Sequence, residues 1–120
     1  MASPAPKRIA QVIKVKPEHL EEYKKIHKEV WPGVLAALKR AHIEDYSIYY
    51  EDESRLLFAT MKYTGTDYDA DMKAIADDPE TQKWWKLTDG MQESLIPGAV
   101  GSATGPGWWK PVEEVFRFES

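Results

Sequence analysis

Apolar residues recur at helical spacing between residues 20 and 38. When this region is wound at about 100° per residue, eight side chains fall within one arc of about 140°. The arc contains Leu20, Tyr23, His27, Val30, Trp31, Val34, Leu35 and Leu38. Charged residues, among them Glu21, Lys25 and Arg40, occupy the opposite side. The pattern predicts an amphipathic helix on which His27 points with the apolar residues toward the protein interior.

Two prolines punctuate this region. Pro17 stands where the first turn of a helix tolerates it. Pro32 lies inside the pattern, where its ring removes a backbone donor and collides with the carbonyl four residues earlier. We therefore predict a kink or restart near Val30 and Trp31, followed by a second helical piece over 32–41.

Period-two alternation predicts strands elsewhere in the chain. The segment RIAQVIKV at 8–15 alternates, and YSIYY at 46–50 is rich in aromatic and β-branched residues. RLLFATMKY at 55–63 follows the turn-type residues 51–54, so these two segments predict an antiparallel hairpin. The ending VEEVFRF at 112–118 alternates again and predicts a fourth strand.

Two further helices are predicted between the hairpin and the last strand. Residues 67–77 carry a helical apolar stripe, with Thr66 or Asp67 as the cap. Pro79 opens a further helix over roughly 79–92. The Gly- and Pro-rich residues 97–107 lack periodicity, which predicts a loop or flap.

The predicted order is β, α, β, β, α, an extra helix and β. This order matches an α+β, ferredoxin-like split βαβ fold with a four-stranded antiparallel sheet. Residues 1–7 are expected to form a flexible N-terminal tail, and 8–120 a single domain. Both helices lie on one side of such a sheet, so either a second subunit or small elements and a ligand pocket cover the other face. We expect a homodimer formed through the sheet.

Composition excludes several classes of protein. The net charge of −4 and a pI near 5.4 argue against the basic surface that nucleic-acid binding requires. The absence of cysteine excludes disulfides, thiolate nucleophiles and zinc–thiolate sites. The first residues lack an apolar signal region, and no apolar run is long enough for a membrane span. We expect a cytoplasmic protein with neither a nucleic-acid nor a membrane partner.

One of the three histidines is a candidate catalyst. His19 lies on the polar side of the helix and His42 in the turn after it, so both are interpreted as solvated surface residues. Their spacings are not those of metal ligands, and no metal site is expected. His27 is either a hydrogen-bonded core residue or an acid–base group, with Tyr23 one turn before it. Tyr46 opens the strand expected nearby.

Tryptophan is abundant, with five residues in 120. Trp84 and Trp85 are about 100° apart on the predicted helix, so one indole enters the core or a pocket while the other lines its edge. Trp108 and Trp109 are interpreted as anchors for the loop that precedes them. The chain has no activated serine, carboxylate dyad or phosphate-binding glycine loop, which argues against kinases, hydrolases and nucleotide-binding proteins.

Several segments together resemble one known family. They are EEYKKIHKEVWP, EDYSIYY, RLLF, QKWWKLTDGM and WWKPVEEVFRF. In combination they are similar to the L-rhamnose mutarotase family, and the likeness extends from about Arg8 to Phe118. No single segment is specific alone.

The resemblance implies a fold, a reaction and a set of residues. Members of the family are small ferredoxin-like proteins that pair through their sheets as dimeric α+β barrels. They interconvert the α and β anomers of L-rhamnose, a monosaccharide, without a metal or organic cofactor. By resemblance, His27 matches the catalytic general acid, and four residues match sugar-binding positions. These are Tyr23, Tyr46, Trp84 and Trp85.

Two departures from the family and two rival functions stay open. The position after the WP pair is often Glu in the family and is Gly33 here, and the loop at 97–107 has its own composition. One rival is a cofactor-free cyclase, dehydratase or monooxygenase of the dimeric α+β barrel type, since Tyr, His and Trp would also serve those reactions. The other is a non-catalytic sugar-binding module in which His27 is inert.

Overall fold

The computed structural model describes residues 7–102 and 107–118. Three long strands form the centre of one antiparallel sheet, and two short strands complete it within the described residues. The strands are β1 (Lys7–Val15), β2 (Ile43–Glu51), β3 (Leu56–Tyr63), β4 (Gln92–Glu93) and β5 (Lys110–Val112). The spatial order is β2, β3, β1, and both short strands pair with the remaining edge of β1. The place of the last strand in a split βαβ fold is therefore shared by β4 and β5, and the predicted α+β, ferredoxin-like class is confirmed.

Four helices accompany the sheet: α1 (Leu20–His27), α2 (Pro32–Arg40), α3 (Tyr68–Asp77) and α4 (Pro79–Asp89). The predicted interruption at Pro32 is confirmed, because Trp31 adopts an extended conformation with ψ of 135°. The Asp67 side chain caps α3 by accepting a hydrogen bond from the Ala70 amide. None of the helices in the part of the chain that the structure describes is long and apolar enough to span a membrane.

The core lies between the helices and one face of the sheet. Alternate residues of each strand point into it, because successive side chains of a strand face opposite ways. Two buried clusters result, one around Ile13, Val15, Tyr23, Leu57 and Met91 and the other around Ala41, Ile43, Met61, Tyr63 and Ile75.

The opposite face of the sheet, here called the open face, carries exposed aromatic side chains. Phe58 on β3 stands between Tyr49 on β2 and Val12 on β1. Tyr49 is 62% and Phe58 39% exposed. Val112 on β5 lies opposite Ala10, two residues before Val12 on β1, and is also exposed.

The predicted strand over 112–118 is wrong. The last strand is Lys110–Val112, and residues 113–118 belong to no helix or strand. Val112 pairs with Ala10, so the antiparallel register leaves only Lys7–Ile9 of β1 for the residues that follow. The alternation in this segment is typical of a strand. A strand over all of 113–118 would also need six free residues on the edge of β1, and the register leaves three. Its apolar residues Val115, Phe116 and Phe118 are 80% exposed or more.

Two smaller differences concern the predicted boundaries. The helix expected over 79–92 ends at Asp89, and Gln92 belongs to β4 instead. Leu35, placed on the inward arc, is 52% exposed. Residues 1–6 of the expected tail and 103–106 of the expected flap lie outside the described residues, and Lys7 already belongs to β1.

Candidate active site

A cavity of about 800 Å³ lies between the helices and the helix-covered face of the sheet. Its volume falls within the range of small-molecule sites. The wall includes Tyr23, His27, Tyr46, Trp84, Trp85 and Trp108. The structure thus brings all five site residues expected from the sequence to one cavity, together with Trp108.

Tyr23 and His27 face this cavity as a stacked pair. They are four residues apart on α1, and their ring centroids lie 4.2 Å apart at an interplanar angle of 28°. The Nδ1 atom of His27 lies 2.7 Å from the backbone carbonyl oxygen of Tyr23. A carbonyl oxygen only accepts hydrogen bonds, so Nδ1 carries the proton and Nε2 of the neutral ring is unprotonated. Among residues 7–102 and 107–118, Nε2 has no hydrogen-bond partner.

Burial determines the protonation state of His27. It lowers the pKa of the imidazole below its ordinary 6.5, and the hydrogen bond to the Tyr23 carbonyl opposes this shift only in part. The ring is therefore mainly neutral at pH 7. A neutral imidazole with an open Nε2 is a proton acceptor.

The Tyr23 hydroxyl belongs to a buried polar chain. The Nε2 amide of Gln92 lies 3.0 Å from the Tyr23 hydroxyl oxygen, and the indole Nε1 of Trp108 lies 2.8 Å from the Gln92 Oε1 oxygen. Tyr23 is 4% and Gln92 3% exposed. Burial raises the pKa of the Tyr23 phenol above its ordinary 10, although the hydrogen bond from Gln92 opposes the change. The phenol is protonated throughout the neutral range.

The tandem tryptophans differ in their surroundings, as their spacing predicted. Trp84 is buried and meets the His27 ring edge to face, with centroids 5.1 Å apart, and it meets Trp31 at the same distance. Trp85 is half-buried and packs on the second core cluster. One indole therefore supports the imidazole, while the other contributes to the edge of the cavity.

Tyr46 reaches the cavity because of an irregularity in β2. The pairing of β2 with β3 shifts register between Glu44 and Ser47, and Asp45 has a φ of 50°. The Tyr46 side chain is 37% exposed, yet burial of its phenol raises the pKa to about 12. Part of the Tyr46 residue therefore lines the cavity, and part of it faces solvent.

The other two histidines lie outside the cavity lining. The His19 Nδ1 lies 4.0 Å from a Glu22 carboxylate oxygen, and the His42 Nδ1 lies 3.0 Å from Asp71 Oδ2. Both imidazoles are more than a third exposed, as expected for surface residues. Across the described ranges, no group of three or more His, Asp or Glu side chains is arranged to hold a metal ion.

The two departures from the family pattern have distinct surroundings. A side chain at Gly33 would collide with the carboxylate of Glu80, so this carboxylate occupies the space that another residue at position 33 would need. The loop at 97–107 borders the cavity, since Ser102 belongs to its lining. The Ser102 amide donates to Asp89 Oδ2 at 2.9 Å and fastens the loop to the end of α4.

Gln92 and Trp108 are the residues that sequence reasoning missed. The pattern over 79–92 places Gln92 at the end of a predicted helix, and Trp108 is predicted to anchor the preceding loop. The available signal was Gly90, which ends α4 and allows Gln92 to enter a strand that faces the cavity. A second tandem pair of tryptophans beside a Gly-rich loop was a further signal.

Comparisons with known proteins agree on one family. The model of the family described as L-rhamnose mutarotase matches residues 8–118. An L-rhamnose mutarotase of Mesorhizobium japonicum is 36% identical over 80 residues, which cover 67% of this chain and 73% of that protein. One from Escherichia coli O1:K1 is 36% identical over 96 residues, covering 79% and 89%. The crystal structure of an L-rhamnose mutarotase from Formosa agariphila superposes with a TM-score of 0.72 at 26% identity, covering 94% of this chain and 99% of that one.

Proposed function

Because this chain belongs to the L-rhamnose mutarotase family, we propose that it interconverts the α and β anomers of L-rhamnose in the cavity beside Tyr23 and His27. One observation carries the proposal. An imidazole whose Nε2 has no partner among the described residues stacks on a phenol inside a cavity walled by indole rings. Such a site offers a proton acceptor beside a hydroxyl group, with apolar surface around both.

The proposed reaction opens and closes the sugar ring. Nε2 of His27 takes the proton of the anomeric hydroxyl, and the bond between the anomeric carbon and the ring oxygen breaks. The electron pair of that bond stays on the ring oxygen, which takes a proton from the imidazolium. The open aldehyde then turns about its bond to the next carbon, and the reverse steps close the ring on its other face. The enzyme ends in its starting state.

His27 serves as both base and acid in this scheme. The neutral ring accepts the first proton, and the imidazolium that forms is the general acid expected from the family resemblance. General acid–base catalysis by one positioned side chain typically accelerates a reaction about 10²- to 10⁴-fold. The lowered pKa of His27 suits the first step, since it keeps the ring ready to accept at pH 7.

The proposed contacts with the sugar follow from its two kinds of surface. L-Rhamnose has an apolar methyl group and an apolar ring face, which suit the indoles of Trp84 and Trp85. Its hydroxyl groups suit the phenols of Tyr23 and Tyr46, which both donate and accept hydrogen bonds. All four residues belong to the lining of one cavity.

Anomer exchange measured by saturation-transfer NMR tests this function. L-Rhamnose, L-fucose and D-glucose are compared at equal concentrations with and without the protein. We expect accelerated exchange for L-rhamnose and smaller effects for the other two sugars. Unaccelerated exchange of all three would refute the proposal, and Trp fluorescence titrated with a flat aromatic acid would then test the cyclase-type rival.

We also propose that the protein is a homodimer that pairs through its open face. The exposed Tyr49 and Phe58 form an apolar strip on that face, and large exposed apolar patches are typical of interfaces. Lys62 lies on the same face of β3 as Phe58, and its charge suits a carboxylate of a second copy such as Glu113.

The oligomeric state is tested by sedimentation equilibrium. The wild type is expected to have twice the chain mass of 13.8 kDa, and Phe58→Lys is expected to shift it toward monomer. Lys83→Ala, on the helical side of the molecule, serves as the control and should stay dimeric. A wild-type monomer at micromolar concentration would contradict the proposal.

A further inference from the structure

The polar chain from Trp108 through Gln92 to Tyr23 has only one chemically consistent direction. An indole Nε1–H donates and never accepts, so the Gln92 atom 2.8 Å from it is the carbonyl oxygen. The amide nitrogen of Gln92 then faces the Tyr23 hydroxyl oxygen at 3.0 Å. An amide nitrogen donates and does not accept. The Tyr23 oxygen is therefore the acceptor of this bond.

This direction leaves the hydroxyl hydrogen of Tyr23 unused. It cannot point at Gln92, and in the described part of the chain Tyr23 Oη has no other hydrogen-bond partner. Tyr23 belongs to the lining of the cavity, so a bound molecule can accept the hydrogen. Gln92 and Tyr23 are both buried, and buried hydrogen bonds hold their geometry better than bonds in competition with water.

The neighbouring imidazole of His27 offers an acceptor to the cavity, where Tyr23 offers a donor. The Tyr23 carbonyl accepts from His27 Nδ1, which leaves Nε2 as an acceptor. Tyr23 thus takes part in both hydrogen bonds: its backbone carbonyl accepts from His27, and its hydroxyl oxygen accepts from Gln92. The cavity presents one donor and one acceptor on two rings whose centroids are 4.2 Å apart.

We infer that Gln92, oriented by Trp108, is a positioning residue that makes Tyr23 the hydrogen-bond donor to the ring oxygen of the sugar. The inference rests on the proposed mutarotase function. The anomeric carbon carries two oxygens with opposite needs during ring opening. The anomeric hydroxyl loses a proton, for which His27 Nε2 is the acceptor, while the ring oxygen gains negative charge, which the Tyr23 hydroxyl stabilises.

Burial supports this division of roles. It raises the pKa of Tyr23 and lowers that of His27, so both groups keep the protonation states that the division requires at pH 7. The phenol shares its hydrogen with the ring oxygen and does not ionise.

The test replaces Gln92 with Glu, which has nearly the same shape. A carboxylate accepts from Trp108 and also from the Tyr23 hydroxyl, so the bond to Tyr23 reverses and its hydrogen is withdrawn from the cavity. Exchange of L-rhamnose anomers is expected to fall about 10²-fold in Gln92→Glu, the scale of losing one donor to a developing oxyanion. Tyr23→Phe is expected to lose a similar factor, in kcat more than in KM.

The double variant separates a positioning role from a structural one. If Gln92 acts through the Tyr23 hydroxyl, Gln92→Glu causes no further loss in the Tyr23→Phe background. If Gln92→Glu acts instead through a structural defect or its new charge, the double variant should lose activity by the product of the two single losses. That multiplicative outcome, or wild-type exchange in Gln92→Glu, would overturn the inference.

Two further variants and one control complete the design. Gln92→Met removes both hydrogen bonds at similar length, and Trp108→Phe removes only the indole donor; each should slow exchange, and neither should slow it further in Tyr23→Phe. These variants keep the test decisive if Gln92→Glu does not fold. Lys83→Glu also makes the protein more acidic, on the exposed side of α4 away from Gln92, and should leave exchange unchanged. If wild-type protein itself does not accelerate exchange, the proposed function fails, whereas acceleration that is insensitive to Gln92 defeats this inference alone.

Discussion

Two pairs of tyrosine and histidine can be compared among the described residues, and of these two the pair Tyr23 and His27 borders the cavity. Tyr23 and His27 stack on α1, whereas Tyr63 and His42 meet through the carboxylate of Asp71. Both tyrosines are 4% exposed. The two pairs therefore share residue types and phenol burial, and they differ in what their polar atoms contact.

The second pair uses its hydrogen-bonding groups within the protein. The Tyr63 hydroxyl donates to Asp71 Oδ2 at 2.5 Å and accepts from the Asp67 amide at 3.1 Å. The His42 Nδ1 lies 3.0 Å from the same carboxylate oxygen. Burial and the adjacent Asp71 carboxylate raise the pKa of Tyr63 to about 12. This arrangement joins the start of α3 to the sheet, and its phenol has no hydrogen left for a ligand.

The pair on α1 keeps one donor and one acceptor free. Among the described residues, no carboxylate joins Tyr23 to His27. The side chain of each residue makes one hydrogen bond within the protein. The comparison shows that residue type and burial do not identify a site. Under the proposed function, the two pairs differ in whether they offer hydrogen-bonding groups to the cavity.

The largest effect is expected from exchanging the histidines of the two pairs for alanine. His27→Ala removes the proton acceptor and should lower the acceleration of anomer exchange by about 10²- to 10⁴-fold. His42→Ala is the matched control and should retain wild-type exchange. Saturation-transfer NMR with L-rhamnose measures both, and equal losses in the two variants would remove the distinction between the pairs.

Replacing the tyrosines should separate catalysis from stability. Tyr23→Phe is expected to slow exchange about 10²-fold. It also leaves the buried Gln92 amide without its acceptor, so a lower Tm is expected as well. Tyr63→Phe leaves Asp71 and the Asp67 amide without the phenol, so it should lower the Tm by a few degrees and leave exchange intact. Calorimetry and exchange NMR on both variants check the prediction. Slowed exchange in Tyr63→Phe, or unchanged exchange in Tyr23→Phe, would contradict it.

The pH dependence of anomer exchange near neutrality should report the titration of His27. The other titratable side chains in the cavity lining are Tyr23, Tyr46 and Lys73, whose pKa values are all raised above ordinary values of 10 or more. The proposed reaction needs neutral His27, whose pKa burial lowers below 6.5. The enzymatic rate should therefore fall as the pH drops through the His27 pKa, with the midpoint of the fall below pH 6.5. A fall that begins well above pH 7 would contradict the lowered value.

The smallest expected effect concerns the acid stability conferred by the other pair. Hydrogen bonds from Tyr63 and His42 lower the pKa of Asp71 below its ordinary 3.8. The ionised carboxylate therefore stabilises the fold above that value, and this contribution disappears as the pH falls through the lowered pKa. Asp71→Asn should be less stable than wild type near neutrality, with a difference that narrows toward pH 3. A difference independent of pH would show that ionisation of Asp71 does not matter.

Much of the fold was predictable because local chemistry determines it. Pro32 interrupts the first helical region for steric reasons, and Asp67 caps α3 through its own side chain. The end of the last strand was not predictable from alternation, because the pairing with β1 stops at Val112 and the alternating pattern continues beyond it. Local patterns determine elements, whereas strand ends depend on a partner.

The candidate site was predictable only in part for the same reason. His27 could be placed on an inward face from helical spacing, and Tyr23 one turn before it. Gln92 is distant in sequence from Tyr23, and their hydrogen bond depends on the pairing of β4 with β1. Trp108 enters the site through the equally nonlocal pairing of β5 with β1. No spacing rule along the chain joins these three residues.

The most direct test of the account is the ¹⁵N NMR spectrum of the histidine rings, recorded with and without L-rhamnose above pH 6.5. We predict that His27 carries its proton on Nδ1, that its Nε2 resonates as an unprotonated nitrogen, and that this resonance moves when L-rhamnose is added while those of His42 do not. A proton on Nε2 of His27, or a His27 ring that does not respond to the sugar, would contradict the claim that this imidazole is the open proton acceptor of a sugar site.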